Sequence, residues 1–136
     1  RELALPFAGS SESWNSLESE KLKESVDRSS HVVFVVPIYC YDVNAAAKNV
    51  IELIGKAFTK KIISFICSAG GNSSYMSVMG LANHLMLDFR SVIVPRFLYV
   101  DDSGWLEGVT LKPEIEDRIH LLLEDMKEIQ IIENGG

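Results

Sequence analysis

The chain has 136 residues, 47% hydrophobic and 24% charged, with a formal net charge of −6 at pH 7. That size suits a single domain spanning residues 1–136, and those fractions exclude disordered, collagen-like and coiled-coil architectures. No apolar run approaches the roughly 18 residues needed to cross a bilayer, and no basic stretch leading to a small-residue cleavage site stands in these residues. The only two cysteines, Cys40 and Cys67, form no CxxC pair. The expectation is a reduced, cytoplasmic setting.

Charge is unevenly spread. Residues 1–30 carry a net −2, residues 31–100 a net +3 and residues 101–136 a net −7. An acidic surface argues against gripping nucleic acid through its phosphates, because that affinity needs clustered Lys and Arg. The mildly basic middle suits a small anionic ligand, and equally a solvated surface.

In chain order, Ser16–Arg28 reads as a polar helix with Leu17, Leu22 and Val26 as its apolar positions. Residues 31–38 form a β-branched apolar run that reads as a strand buried on both faces and ended by Pro37. Ala45–Phe58 is expected to be a helix, with Ala47, Val50, Ile51, Leu53, Ile54 and Phe58 toward one side. Ile62–Cys67 is a second buried strand. Ser74–Phe89 is a second amphipathic helix, presenting Met76, Met79, Leu81, Leu85, Met86 and Phe89. Val92–Val94 is a third strand, followed by a loop over 101–105. Pro113 then opens a helix with acids in its first turn and a stripe of Ile115, Ile119, Leu122 and Met126. Alternating helices and buried strands imply an α/β fold, a doubly wound parallel sheet with helices on both faces.

In such sheets, ligands gather beyond the carboxyl ends of the strands. Two of these ends have unusual composition. The first, Pro37-Ile38-Tyr39-Cys40-Tyr41-Asp42-Val43-Asn44, offers two tyrosines against which a planar ring could lie, and Asn44 is placed to cap the next helix. Tyrosines that merely cover a sheet edge would look the same. The second, Ser68-Ala69-Gly70-Gly71-Asn72-Ser73-Ser74, pairs glycines that let several amides converge on one acceptor. Ser73 or Ser74 is expected to cap the helix that follows.

Other candidates are weaker. His31, His84 and His120 share no spacing that would gather a metal, so they read as structural. Cys67 lies inside a strand, and Cys40 has no histidine nearby to activate it. No GxSxG, GxxxxGK[ST] or GxGxxG motif is present.

These residues resemble the NAD(P)H-dependent FMN reductases, which have the flavodoxin-like three-layer fold. The family's Pro-x-Tyr motif reads here Pro37-Ile38-Tyr39-Cys40, its Lys-Asn pair is Lys48-Asn49, and its Gly-Gly loop is Ser68-Ala69-Gly70-Gly71-Asn72. Leu3-Ala4-Leu5-Pro6 looks like the end of the family's second strand. By that alignment the family's first strand and its FMN phosphate loop are expected to be missing ahead of Arg1. The pattern departs where Asn44-Ala45-Ala46-Ala47 replaces a Pro-Gly pair and where Cys40 stands for Asn or His.

The resemblance implies FMN held by Pro37, Ile38, Tyr39 and Cys40 along the ring, and by amides around Ser68, Ala69, Gly70, Gly71 and Asn72 at its carbonyl edge. It implies NAD(P)H as hydride donor and a quinone, flavin or metal ion as second acceptor. It also implies no separate catalytic acid or base, and a homodimer or homotetramer joined through the Ala45–Phe58 helix. Two alternatives stand beside it: a non-enzymatic flavodoxin-like electron carrier, and a truncated chain unable to hold FMN alone.

Overall fold

β-Branched and aromatic residues concentrate in three runs, and each run becomes a strand of one sheet. The structure is a computed structural model describing residues 4–131. Two short helices come first, α1 (Ser11–Trp14) and α2 (Leu17–Asp27), capped by the hydroxyls of Ser10 and Ser16. There follow β1 (His31–Tyr39), β2 (Asp42–Val43), α3 (Ala45–Ile54), β3 (Ile62–Ser68), α4 (Met79–Phe89) and β4 (Val92–Val100). A small hairpin of β5 (Trp105–Leu106) and β6 (Thr110–Leu111) leads into α5 (Pro113–Glu128). The main sheet has the order β2-β1-β3-β4, with β1, β3 and β4 parallel and β2 antiparallel to β1. This is the expected α/β sandwich.

The larger core lies on the side of α2, α3 and α4. Phe34 packs between Phe58 and Phe65 with ring centroids 5.3 and 5.8 Å away, and Phe97 meets Phe65 edge-on at 5.4 Å. Such tilted and edge-on pairs suit the ring quadrupole and add to the area they bury. On the opposite face α5 covers β3 and β4 through Leu122, Met126 and Ile115. His31 tethers the end of α5 to the start of β1: its Nε2 lies 2.9 Å from the Met126 carbonyl, and its Nδ1 lies 2.7 Å from Ser30 Oγ.

Several elements depart from the sequence expectation. β1 is fully covered on one face and only partly on the other, where Val33 packs against the cluster of Leu122 and Met126. Val36 and Ile38 are buried, but Val35 is 70% exposed on the other face, because α5 lies chiefly over β3 and β4 and reaches β1 only at its start. Pro37 does not end β1. Its carbonyl accepts from the Asn44 amide at 3.2 Å, it stays in register opposite Ser68, and the strand continues to Tyr39.

The helix expected over 45–58 tightens into a 3₁₀ turn at Gly55–Phe58. There the Phe89 ring packs so closely that a Cβ on Gly55 would meet it at 2.2 Å. The helix expected from Ser74 begins only at Met79, after a 3₁₀ turn at Asn72–Ser74 and a left-handed Met76. β4 runs six residues beyond Val94. Its irregularity around Pro95 shifts the register, so Ile63 pairs with Ile93 but Phe65 with Phe97, and Ser64 Oγ donates to the Arg96 carbonyl at 3.2 Å.

The segment read as the end of another strand behaves differently. Ala4–Phe7 form no strand, and Leu3 lies outside the described residues. Asn49 of α3 supplies the hydrogen bonds a neighbouring strand would otherwise give. Its Oδ1 accepts from the Ala8 amide at 2.8 Å and its Nδ2 donates to the Pro6 carbonyl at 2.9 Å. The Lys48-Asn49 motif thus includes a clamp that fastens residues 6–8 to α3.

Candidate functional site

Parallel pairing of β1 and β3 brings the two chemically unusual loops together. In that register Pro37 lies opposite Ser68, and neighbouring strands sit about 4.8 Å apart. The loops leaving them therefore share one end of the sheet, the end at which open α/β sheets bind ligands.

The first loop is a tight hairpin. Tyr39 pairs with Asp42, so Cys40 and Tyr41 are the two turn residues, at φ +52° and +61°. Two left-handed residues match the strand twist across a two-residue turn, but neither is a glycine. Each carries strain on the order of 1–2 kcal/mol. The turn presents Tyr39, Cys40 and Tyr41 to solvent, while the Ile38 side chain is buried in the core and offers only its backbone. Asn44 does occupy the N-cap of α3, yet makes no side-chain cap bond. Its Oδ1 is buried without a partner among the described residues, a cost of about 1–3 kcal/mol.

The second loop is rich in free donors. The Ala69 amide is bonded to the Val100 carbonyl at 3.0 Å, but the amides of Gly70, Gly71, Asn72 and Ser73 donate to no backbone acceptor among the described residues. Gly70, Gly71 and Asn72 are exposed. Gly71 is extended at φ −172°, so positive φ is not what the glycine provides. A Cβ built on Gly70 or on Gly71 meets no atom within 4 Å. The space over these amides is open to a ligand. Ser74 does not cap α4 either: its hydroxyl bonds the phenol of Tyr99, which in turn lies 3.1 Å from the Gly71 carbonyl.

The candidate residues therefore divide. Pro37, Tyr39 and Cys40 with Ser68, Ala69, Gly70, Gly71 and Asn72 gather at one sheet end, whereas Ile38 faces inward. Tyr99 belongs with them, and the sequence reading ended its strand five residues too early to see it.

Two titrating groups bear on the chemistry. Burial pushes the Cys67 thiol up to about 11, so it is protonated near neutrality and unsuited to act as a nucleophile. Hydrogen bonds from the Ser103 hydroxyl and amide hold the Asp101 carboxyl below the usual range. That leaves a carboxylate just past the end of β4. Cavities of about 450, 440 and 720 Å³ lie elsewhere on the surface, against α3 and α4, against α1 and α3, and at the amino ends of the strands.

Free amides and exposed tyrosines at the carboxyl end of a parallel sheet fit a planar ligand with carbonyl acceptors. Solved structures share this fold. An oxidoreductase from Corynebacterium diphtheriae superposes with a TM-score of 0.68 at 16% identity, over 82% of this chain and 60% of its own. FerB, a flavoenzyme NAD(P)H:(acceptor) oxidoreductase from Paracoccus denitrificans, gives 0.70 at 16% identity, over 91% and 74%. The apo form of the NADH:FMN oxidoreductase EmoB gives 0.68 at 8% identity, over 85% and 62%. The chain thus spans about three-fifths of the length of the first and third of these. A sequence model of the family described as NADPH-dependent FMN reductase matches residues 3–105, and the chain belongs to that family.

Proposed function

We propose that the chain forms the flavin-ring site of an oxidoreductase that accepts a hydride from NAD(P)H and passes electrons to a second acceptor, a quinone, a free flavin or a metal ion. The observation that carries this reading is the row of free amides from Gly70 to Ser73, set beside Tyr39 and Tyr41 by the β1–β3 register. Family membership supports it.

FMN, when bound, supplies the hydride and electron chemistry. The protein's part is position and electrostatics. Pro37, the Ile38 backbone, Tyr39 and Cys40 give one wall, and Ser68 to Asn72 give the other. Bound at these amides, a flavin's ring oxygens would meet fixed donors, and such dipoles favour negative charge. Tyr39 and Tyr41 supply flat apolar surface. No side chain at the site is asked to move a proton. Assembly as a homodimer or homotetramer through α3, in a cytoplasmic setting, belongs to the same proposal.

Rapid anaerobic mixing of the FMN-loaded chain with NADPH tests this reading. The expected result is loss of oxidised-flavin absorbance at a rate that rises with nucleotide concentration. Bound flavin that stays oxidised at every NADH and NADPH concentration would leave the electron-carrier alternative in its place.

A further inference from the structure

Tyr99 sits near the end of β4, on the far side of β3 from β1. Its phenol reaches the second loop at two points. The hydroxyl lies 3.1 Å from the Gly71 carbonyl, an acceptor only, so the phenol proton is committed there. The Ser74 hydroxyl then donates to the phenol oxygen, completing a chain from Ser74 through Tyr99 to Gly71. The ring itself is braced edge-on by Tyr75, with centroids 5.6 Å apart at 82°.

A trans peptide points its C=O and N–H in opposite directions. Drawing the Gly71 carbonyl toward the Tyr99 phenol therefore turns the Asn72 N–H away from that phenol. The Asn72 amide has no backbone acceptor among the described residues. The loop is otherwise held at its two ends, by the Ala69 amide on the Val100 carbonyl at 3.0 Å and the Tyr75 amide on the Asn72 carbonyl at 3.2 Å.

We propose that Tyr99 is a positioning residue: its bond to the Gly71 carbonyl sets the peptide plane that aims the Asn72 amide into the ligand site, and thereby tunes how strongly the site favours a reduced, negatively charged ligand over the oxidised one. The tuning rests on the flavin reading above, whereas the peptide orientation does not. A preorganised donor stabilises charge without the cost of reorienting when charge appears. A donor free to rotate must be ordered first.

Tyr99→Phe removes one oxygen and keeps the ring that packs on Tyr75. In the flavin-free chain, 15N relaxation should show the amides of Gly71, Asn72 and Ser73 as rigid as the strands in the wild type and markedly more mobile in the variant. Melting temperature should change little. With FMN bound, the variant should lose about tenfold in preference for the reduced form, equivalent to a midpoint potential about 30 mV more negative for a two-electron couple. Ser74→Ala, which leaves the Gly71 bond in place, should shift the potential less.

Unchanged amide relaxation in Tyr99→Phe would overturn the proposal, and so would weaker FMN binding with an unaltered potential, the pattern of a merely structural role. If the wild type binds no FMN, the flavin reading fails and the relaxation comparison alone decides the orientation.

Discussion

Gly71→Val and Gly70→Val are expected to leave the fold intact and to weaken FMN binding on the order of 100-fold. A side chain at either position enters open space, with no atom within 4 Å of its Cβ. Gly71 is extended at φ −172°, a conformation valine adopts without strain. The protein alone therefore has no reason to resist the change. A ligand does: the branched side chain would stand over the free amides of Gly70 to Ser73. Losing two amide bonds at about 1.5 kcal/mol each gives about 3 kcal/mol, or on the order of 100-fold in affinity. Equilibrium dialysis measures the binding and a thermal melt verifies the fold. Wild-type flavin occupancy in both variants would remove the second loop from the site.

Phe65→Ala tests the packing that supports those loops, and the expected loss is about 3–5 kcal/mol. Phe65 is 0% exposed, in the middle of β3, with Phe34 stacked on one side and Phe97 edge-on at another. Truncation would open a cavity at the centre of the strand that carries Ser68 to Asn72. Against a total stability of about 5–15 kcal/mol, that loss is a large fraction. Urea unfolding should show a much lower midpoint with an unchanged slope. A loss below about 1 kcal/mol would mean that the aromatic cluster is not the keystone of the larger core.

What the sequence revealed and concealed follows a physical division. Buried β-branched runs are local signals, so β1, β3 and the start of β4 could be located from composition alone. Coverage of a strand is not local. The run at 31–38 has a doubly buried composition, yet Val35 is exposed because the position of α5, some 90 residues later, decides which strands it covers. The start of α4 departs from the sequence expectation because a side chain finds a distant partner. Ser74 looks like a cap, but its hydroxyl bonds Tyr99, 25 positions on, and α4 starts at Met79. Asn44 occupies the cap position without making the cap bond.

The candidate site was legible as two loops, and the β1–β3 register puts those loops at one sheet end. Loop composition carries the donors and the rings, and the strand-end rule places them together. Three features could not be read. Gly71 is extended, with open space beside it, rather than left-handed. Ile38, inside the Pro-x-Tyr motif, faces the core because side chains alternate along a strand. Tyr99 reaches the second loop only because β4 continues past Pro95, through an irregularity that Ser64 fills.

The claim at the centre of this account is that one ligand surface is formed by the turn at Tyr39–Tyr41 and the amides of Gly70–Ser73. Titrating the isotopically labelled chain with FMN and following the backbone amide resonances tests it directly. The account predicts saturable shifts concentrated at Tyr39, Cys40, Tyr41, Gly70, Gly71, Asn72 and Ser73. Shifts confined instead to the cavity lined by Lys48 and His84, or to the one beside Lys60 and Lys61, would contradict it.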